Sequence, residues 1–350
     1  MGIIIKRDSP VQAAVKEAEA AIEQGFDASD YAFATRKINV DLLVSSGSTL
    51  LDLAISGKRR RGGGIPGGML MEMFGGEGSG KTALLAEICA SAQSKNGDVR
   101  FLDPEARLDK EYARIYEMNL KEHDYFRPET VSEVFRRIDD FKPKNPNTIN
   151  VIGTDSLAAL STELEMEKGD KMGMRRAKEF SEGFRKMARK IASENLLLAC
   201  TNQTRQGEFG DVTPGGRAVA FYSSLRLQTK QKSLIHVEKD FHGKKVKKAI
   251  GIESHVFVKK STIDDPYREA TIYIVFGYGI DDIRGNLQYM KDMQNETKYM
   301  CPGGKGYVSM AKAIEYVEKE GLESDLREQT IDLWEEVEHK FDQNRKRKQR

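Results

Sequence analysis

The 350-residue chain is 39% hydrophobic and 31% charged, which gives it enough apolar side chain for a core and reads as a globular rather than a disordered protein. Its net charge of +2 does not by itself announce a polyanion partner, and no stretch approaches the ~18 uninterrupted apolar residues of a membrane helix. The N-terminal residues lack the apolar region of a signal peptide. Cys89, Cys200 and Cys301 are scattered and odd in number, which argues against a disulfide framework and for a reducing, cytoplasmic compartment.

Residues 10–25 carry Ala-rich composition with Pro10 near the start and Gly25 at the end, a helix standing apart like an arm. Residues 26–45 read as irregular. From residue 46 the pattern is α/β: an apolar strand at 69–74, a glycine-rich loop, a helix at 83–94, and further strands at 99–103, 150–155 and 196–202, the last after a charged helix near 175–193. Short apolar runs bounded by helices predict parallel strands buried on both faces. Between 225 and 277 the alternating stretches at 255–259 and 270–276 predict antiparallel or edge strands. Beyond 282 the chain reads as mostly helical, with a turn cluster around Pro302, Gly303, Gly304 and Gly306. The expected organisation is an arm (1–45), a core (46–282), a small C-terminal domain (283–342) and a basic tail (343–350). Basic runs at 58–61, 244–248 and 345–350 read singly as solvated surface and together raise the case for a polyanion partner.

The chemistry starts at Gly75-Gly76-Glu77-Gly78-Ser79-Gly80-Lys81-Thr82. Phosphate oxygens need many close donors; a glycine turn points backbone N–H groups inward, and the following helix adds its positive end. In such a loop Lys81 reaches the β- and γ-phosphates of ATP and the Thr82 hydroxyl ligates Mg²⁺. Asp155 ends an apolar strand, where an α/β sheet presents its ligands, and can hold the metal shell; a lone Asp there would otherwise cap a helix. Glu105, in Asp103-Pro104-Glu105, can polarise an attacking water or serve simply as surface. Gln203, after Thr201-Asn202, offers an amide that can sense a terminal phosphate and pass the signal to the polar, Gly-rich segment 204–216, which could equally be an ordinary loop. Segment 163–176 is charged and ends in Arg175 and Arg176, ahead of a helix.

The order of these parts, continuing to Gly215-Gly216-Arg217-Ala218-Val219-Ala220-Phe221-Tyr222, resembles the bacterial and bacteriophage RecA recombinase family from about Val44 to Ile280, and more weakly to about residue 340. The resemblance implies a RecA-like P-loop ATPase core with a mostly parallel twisted sheet, an N-terminal helical arm that docks on a neighbouring protomer, and a small C-terminal α/β or helical domain. It implies that Glu105 activates water, Asp109 and Tyr112 line an adenine pocket, and Gln203 couples the γ-phosphate to DNA. The two segments 163–176 and 204–214 take the places of DNA-binding loops, with Arg175, Arg176, Arg185, Arg205, Gly215 and Gly216 toward DNA, and Phe221 takes that of an aromatic at the subunit interface. The family usually carries two lysines, two residues apart, that reach the neighbour's ATP; Lys260 matches the first and Thr262 stands at the second. Arg107 stands where the family often has a small residue, the 57–68 connector is longer and more basic than usual, the second loop is shorter and the tail is basic. These departures favour a phage-type or divergent member.

The expected activity is that of a DNA-dependent ATPase. It would form helical filaments on single-stranded DNA and promote pairing and strand exchange with homologous duplex, with mediator or single-strand-binding proteins as further partners. A ring-type DNA helicase and a non-catalytic, ATP-binding filament accessory protein are the alternatives.

Overall fold

A computed structural model describes residues 41–108, 110–121, 124–163, 173–207, 210–212, 216–342 and 345. Internal contacts divide the chain into residues 1–37 and 38–350, and all described residues fall in the second unit. The expected arm up to residue 40, and the tail apart from residue 345, lie outside the described residues.

β1 (Leu43–Val44) and β2 (Ile65–Pro66) pair antiparallel around α1 (Thr49–Ser56), every residue of which is buried. Then follow β3 (Met69–Gly75), α2 (Lys81–Ser94), β4 (Val99–Leu102), α3 (Lys110–Ile115), β5 (Tyr125–Phe126), α4 (Val131–Asp139), β6 (Asn150–Thr154), α5 (Gly173–Ser193) and β7 (Leu196–Gln203). A short pair, β8 (Arg205–Gly207) and β9 (Gly210–Val212), precedes α6 (Gly216–Tyr222). β10 (Leu225–Phe241), β11 (Lys244–Ser261), β12 (Glu269–Val275) and β13 (Gly279–Ile280) come next, and α7 (Asp282–Met293), β14 (Tyr299–Met300), β15 (Gly306–Tyr307), α8 (Met310–Glu320) and α9 (Glu323–Lys340) complete the described chain.

The main sheet runs β13-β12-β11-β10-β3-β7-β6-β4-β5. From β10 to β5 neighbours are parallel; β11, β12 and β13 add antiparallel at the other side. Side chains alternate between faces along each strand. Met69, Met71 and Met73 of β3 enter one apolar cluster with Leu84, Leu85 and Ile88 of α2. Leu70 enters a second cluster with Val134 of α4 and Phe180 and Phe184 of α5. With both faces covered, alternation in polarity disappears and the strands read as continuous apolar runs.

The region 225–277 holds the expected strands, but β10 and β11 are far longer than the alternating stretches predict. They form one ladder from Leu225 opposite Ser261 to Phe241 opposite Lys244, and residues 241–248 at its tip are exposed. Its apolar residues, Leu234, Ile235, Val237, Phe241 and Val246, are exposed or half-buried, so the arm does not read as a strand packed on the core. Its signal was the two-residue turn His242-Gly243, both at positive φ (52° and 77°), as a tight hairpin requires. The basic run 244–248 is the start of the returning strand.

The basic run at 58–61 is largely matched by acids from the far end of the chain. Arg61 pairs with Glu328, Asp332 and Glu335 of α9 at 2.8–2.9 Å, and Lys58 with Asp265 and Glu338 at 3.4 and 3.6 Å. Residues 283–326 gather an apolar cluster of their own around Leu287, Val317 and Leu326. Ile331 and Trp334 of α9 pack instead on Leu53 of α1.

Candidate active site at the sheet edge

Because β3, β4, β6 and β7 are parallel, their carboxyl ends share one edge. The ladder sets Gly75 beside Gln203, and Leu102 beside Thr154, so residues 75, 103, 155 and 203 emerge together. Gly75 must be glycine: a Cβ there would lie 2.1 Å from the Thr229 carbonyl oxygen of β10. Gly80 caps α2 at φ 90° with no side-chain acceptor, so the first N–H groups of the helix face the loop. Lys81 Nζ donates to the carbonyls of Gly76 (2.6 Å) and Gly75 (3.1 Å). Burial pulls its pKa down, and the Asp155, Glu105 and Glu77 carboxylates work against that. Ser79 Oγ donates to Gly76 O at 2.7 Å and meets Thr229 Oγ1 at 2.8 Å, while Ser254 Oγ of β11 donates to Ser79 O at 2.8 Å. Thr229 and Ser254 therefore brace the loop; sequence reasoning missed them, since ordinary hydroxyls ~150 residues away carry no local signal.

Thr82 Oγ1 donates to Asp155 Oδ2 at 2.7 Å, and Thr201 Oγ1 donates to Asp155 Oδ1. Burial raises the Asp155 pKa and the two hydroxyls oppose the rise. A hydroxyl and a carboxylate side by side at the loop are hard oxygen donors and fit a small divalent cation. Glu105 Oε1 accepts from Ser156 Oγ (3.0 Å) and Gln203 Nε2 (3.2 Å), and Oε2 pairs with Arg107 Nε (2.8 Å). The sequence singled out Glu105 and Gln203 separately; the fold brings them into contact. Asp103 accepts from Leu108 N and Tyr125 Oη instead, at 2.8 and 2.6 Å, and so ties down the turn carrying Glu105.

These groups line a cavity of about 820 Å³ whose apolar wall includes Tyr112, Tyr116, Ile252, Ile274 and Phe276. Tyr116 Oη donates to Tyr112 Oη at 3.2 Å, their rings 5.1 Å apart. Of this wall only Tyr112 was expected. A second cleft, about 930 Å³, shares Ile115 and Tyr116 with the first but contains no residue of the glycine-rich loop.

The residues expected toward DNA and toward a neighbour are less gathered. Arg175 and Arg185 are exposed on α5, and Arg176 is half-buried there. Asp109, Gly215, residues 164–172, 208–209 and 213–214, and the Arg205 side chain lie outside the described residues; Gly216 begins α6. Phe221 is 75% exposed, edge-on to Tyr222. Lys260 Nζ donates to the Ala220 and Phe221 carbonyls at 3.0 and 2.9 Å, at the carboxyl end of α6; burial lowers its pKa, with Arg226 adding to the effect. Another missed residue, the fully buried Glu72 of β3, accepts from Asn202 Nδ2 (3.0 Å) and pairs with Arg226 Nε (2.6 Å). Among the described residues no helix is long and apolar enough to cross a membrane.

A strand, glycine-rich loop and helix at the carboxyl edge of a parallel sheet, with a carboxylate ending a nearby strand, define a P-loop ATPase. Comparison with known sequences narrows the class. The family described as RecA N-terminal domain matches residues 13–281. Protein RecA of Delftia acidovorans is 34% identical over 245 residues, covering 68% of this chain and 63% of that protein. Protein RecA of Thermus aquaticus is 34% identical over 257 residues (71% and 70%), and that of Rickettsia canadensis 32% over 275 residues (76% of each). The chain belongs to the RecA recombinase family.

Proposed function

We propose that the chain is a DNA-dependent ATPase that acts as a recombinase in DNA repair and recombination, assembling with further copies of itself as a filament on single-stranded DNA and exchanging strands with a homologous duplex. The observation that carries this reading is the contact of Glu105 with Gln203 beside Lys81, Thr82 and Asp155: a water-activating carboxylate bonded to the amide that leads into the 204–214 segment.

The loop N–H groups from Gly76 to Thr82 bind the phosphates, and Lys81 turns its ammonium from the Gly75 and Gly76 carbonyls to the β- and γ-phosphate oxygens. Thr82 and Asp155 would hold Mg²⁺, which would supply positive charge at the transferring phosphoryl group. Tyr112, with Asp109, holds the adenine. Glu105 orients water and takes its proton. Gln203 exchanges its bond to Glu105 for one to the γ-phosphate, and β8 and the 204–214 segment follow. Arg175, Arg176, Arg185 and Arg205, with Gly215 and Gly216, hold the DNA backbone, so affinity falls steeply with salt. Lys260 and Phe221 serve the contact with the adjacent protomer, to which residues 1–45 also dock. Residues 46–282 form the ATPase core and 283–342 a small C-terminal domain. A cytoplasmic location, loading by mediator proteins and competition with single-strand-binding protein fit the same reading.

The test pairs a DNA-stimulated ATPase assay with a strand-exchange assay, and images the protein on single-stranded DNA with a non-hydrolysable ATP analogue. Extended helical filaments and joint molecules support the reading. Closed rings that unwind forks, or filaments without turnover, defeat it.

A further inference from the structure

We infer that Arg107 is a catalytic cation which the chain supplies to its own ATP, bridging Glu105 and the terminal phosphate. The inference rests on the ATPase reading and adds a residue to it.

Three observations converge. The turn from Asp103, closed by Ala106 N donating to Asp103 O at 3.1 Å, holds Ala106 at φ 54°. A left-handed alanine is strained by about 1–2 kcal/mol, and strain of this kind collects where a site needs an otherwise disfavoured backbone. The turn brings Arg107 back against Glu105, whose Oε2 lies 2.8 Å from Arg107 Nε as an ion pair. Glu105 is itself held at Oε1 by Ser156 and Gln203 and only 12% exposed, so it orients the guanidinium. Finally, Arg107 lines the same cavity as Glu77, Lys81 and Asp155 and is 70% exposed. Its Nη1 and Nη2 groups bond to no protein atom among the described residues.

Charge gives this arrangement a purpose. A carboxylate and a γ-phosphate repel each other across a few ångströms in a partly desolvated cleft. The planar fork of a guanidinium can serve both at once, with Nε on the carboxylate and Nη on phosphate oxygens. The sequence also leaves room for such a group: Lys260 spends its amine on the Ala220 and Phe221 carbonyls, and position 262 is threonine. In the reaction Arg107 keeps its proton. Water oxygen bonds to the γ-phosphorus, a water proton passes to Glu105, and the bond to the β,γ-bridging oxygen breaks with its electron pair leaving on ADP.

Arg107→Ala and Arg107→Lys are to be compared with the parent full-length chain for kcat and KM in the presence of single-stranded DNA, and for affinity toward fluorescent ADP and a fluorescent non-hydrolysable ATP analogue. Cations of this kind are worth about 10³–10⁵ in rate. The expected result is a kcat loss of ~10²-fold or more in Arg107→Ala with KM changed by no more than ~3-fold, a partial return in Arg107→Lys, and a weakened preference for the triphosphate analogue over ADP. A kcat within twofold of the parent, or a rise that makes Arg107 a brake, overturns the inference and leaves the ATPase reading standing. A parent chain that hydrolyses no ATP overturns both.

Discussion

The phosphate-loop edge and the surface around α6 make opposite use of their polar groups. At the edge, Lys81, Thr82, Asp155, Glu105 and Gln203 bond to one another or to the loop through short contacts within one chain. Around α6, Lys260 donates to carbonyls at the end of a helix and Phe221 stands 75% exposed. The first region is assembled by a single copy. The second would, on the proposed reading, meet a neighbouring copy. Glu72 lies between the two, tied to Asn202 on one side and Arg226 on the other. Turnover should therefore fail on changes at the edge, and assembly on changes around α6.

The largest expected effect is at Lys81. Lys81→Ala should lower DNA-stimulated ATP hydrolysis by ~10³-fold or more, read by phosphate release; residual turnover near the parent rate would break the comparison at its strongest point. Glu105→Gln keeps the hydrogen bonds but removes the base, so turnover should fall by about 10²–10⁴-fold while a fluorescent nucleotide still binds. Equal loss of binding and turnover would show that Glu105 holds the nucleotide and is not the base.

At the joint, Glu72→Ala strands a partly buried Arg226 and should cost about 3–5 kcal/mol in denaturant unfolding. Glu72→Gln, which keeps an acceptor for Asn202, should cost less.

Away from both regions, among Ser45, Ser46 and Asp282, burial pushes Asp52 of α1 up to about 6, above the ~3.9 of an unfolded chain. The folded state thus binds the proton more tightly. The stability this contributes is whole below about pH 4 and is lost as pH rises through about 6, amounting to about 3 kcal/mol at most. Glu87, also pushed up to about 6 by burial, adds a slope of the same sign. Asp52→Asn should flatten its share of the fall in unfolding free energy between pH 4 and 6.5, measured by chemical denaturation. Phe221→Ala should have the smallest effect on the fold, within ~0.5 kcal/mol for an exposed side chain, yet it should shorten filaments seen by electron microscopy. Full-length filaments would remove Phe221 from the interface.

Much of the edge was legible in the residues alone because its parts are local. The phosphate loop is contiguous, and Glu105, Asp155 and Gln203 each end an apolar run short enough to be a buried strand. What was not legible depends on partners distant in the chain. Tyr116 and Phe276 meet in the cavity wall from segments 160 residues apart in the numbering. The basic run at 58–61, which read singly as solvated surface, finds counter-charges for Lys58 and Arg61 on α9. The outer half of the β10–β11 arm carries few apolar residues and leaves them exposed or half-buried, so its full length did not stand out in the sequence.

By itself the sequence determined the P-loop class, the family and which residues to look for near the glycine-rich loop, since glycine turns, apolar runs and strand-end carboxylates are short-range patterns. Only the tertiary structure decided how those groups are bonded: Gln203 against Glu105, Thr229 and Ser254 under the loop, Arg107 folded back over the Glu105 carboxylate. Parallel strands bring their carboxyl ends to one edge whatever the length of chain between them. Which side chains then meet is set by sheet order and register, and neither is written in any one segment.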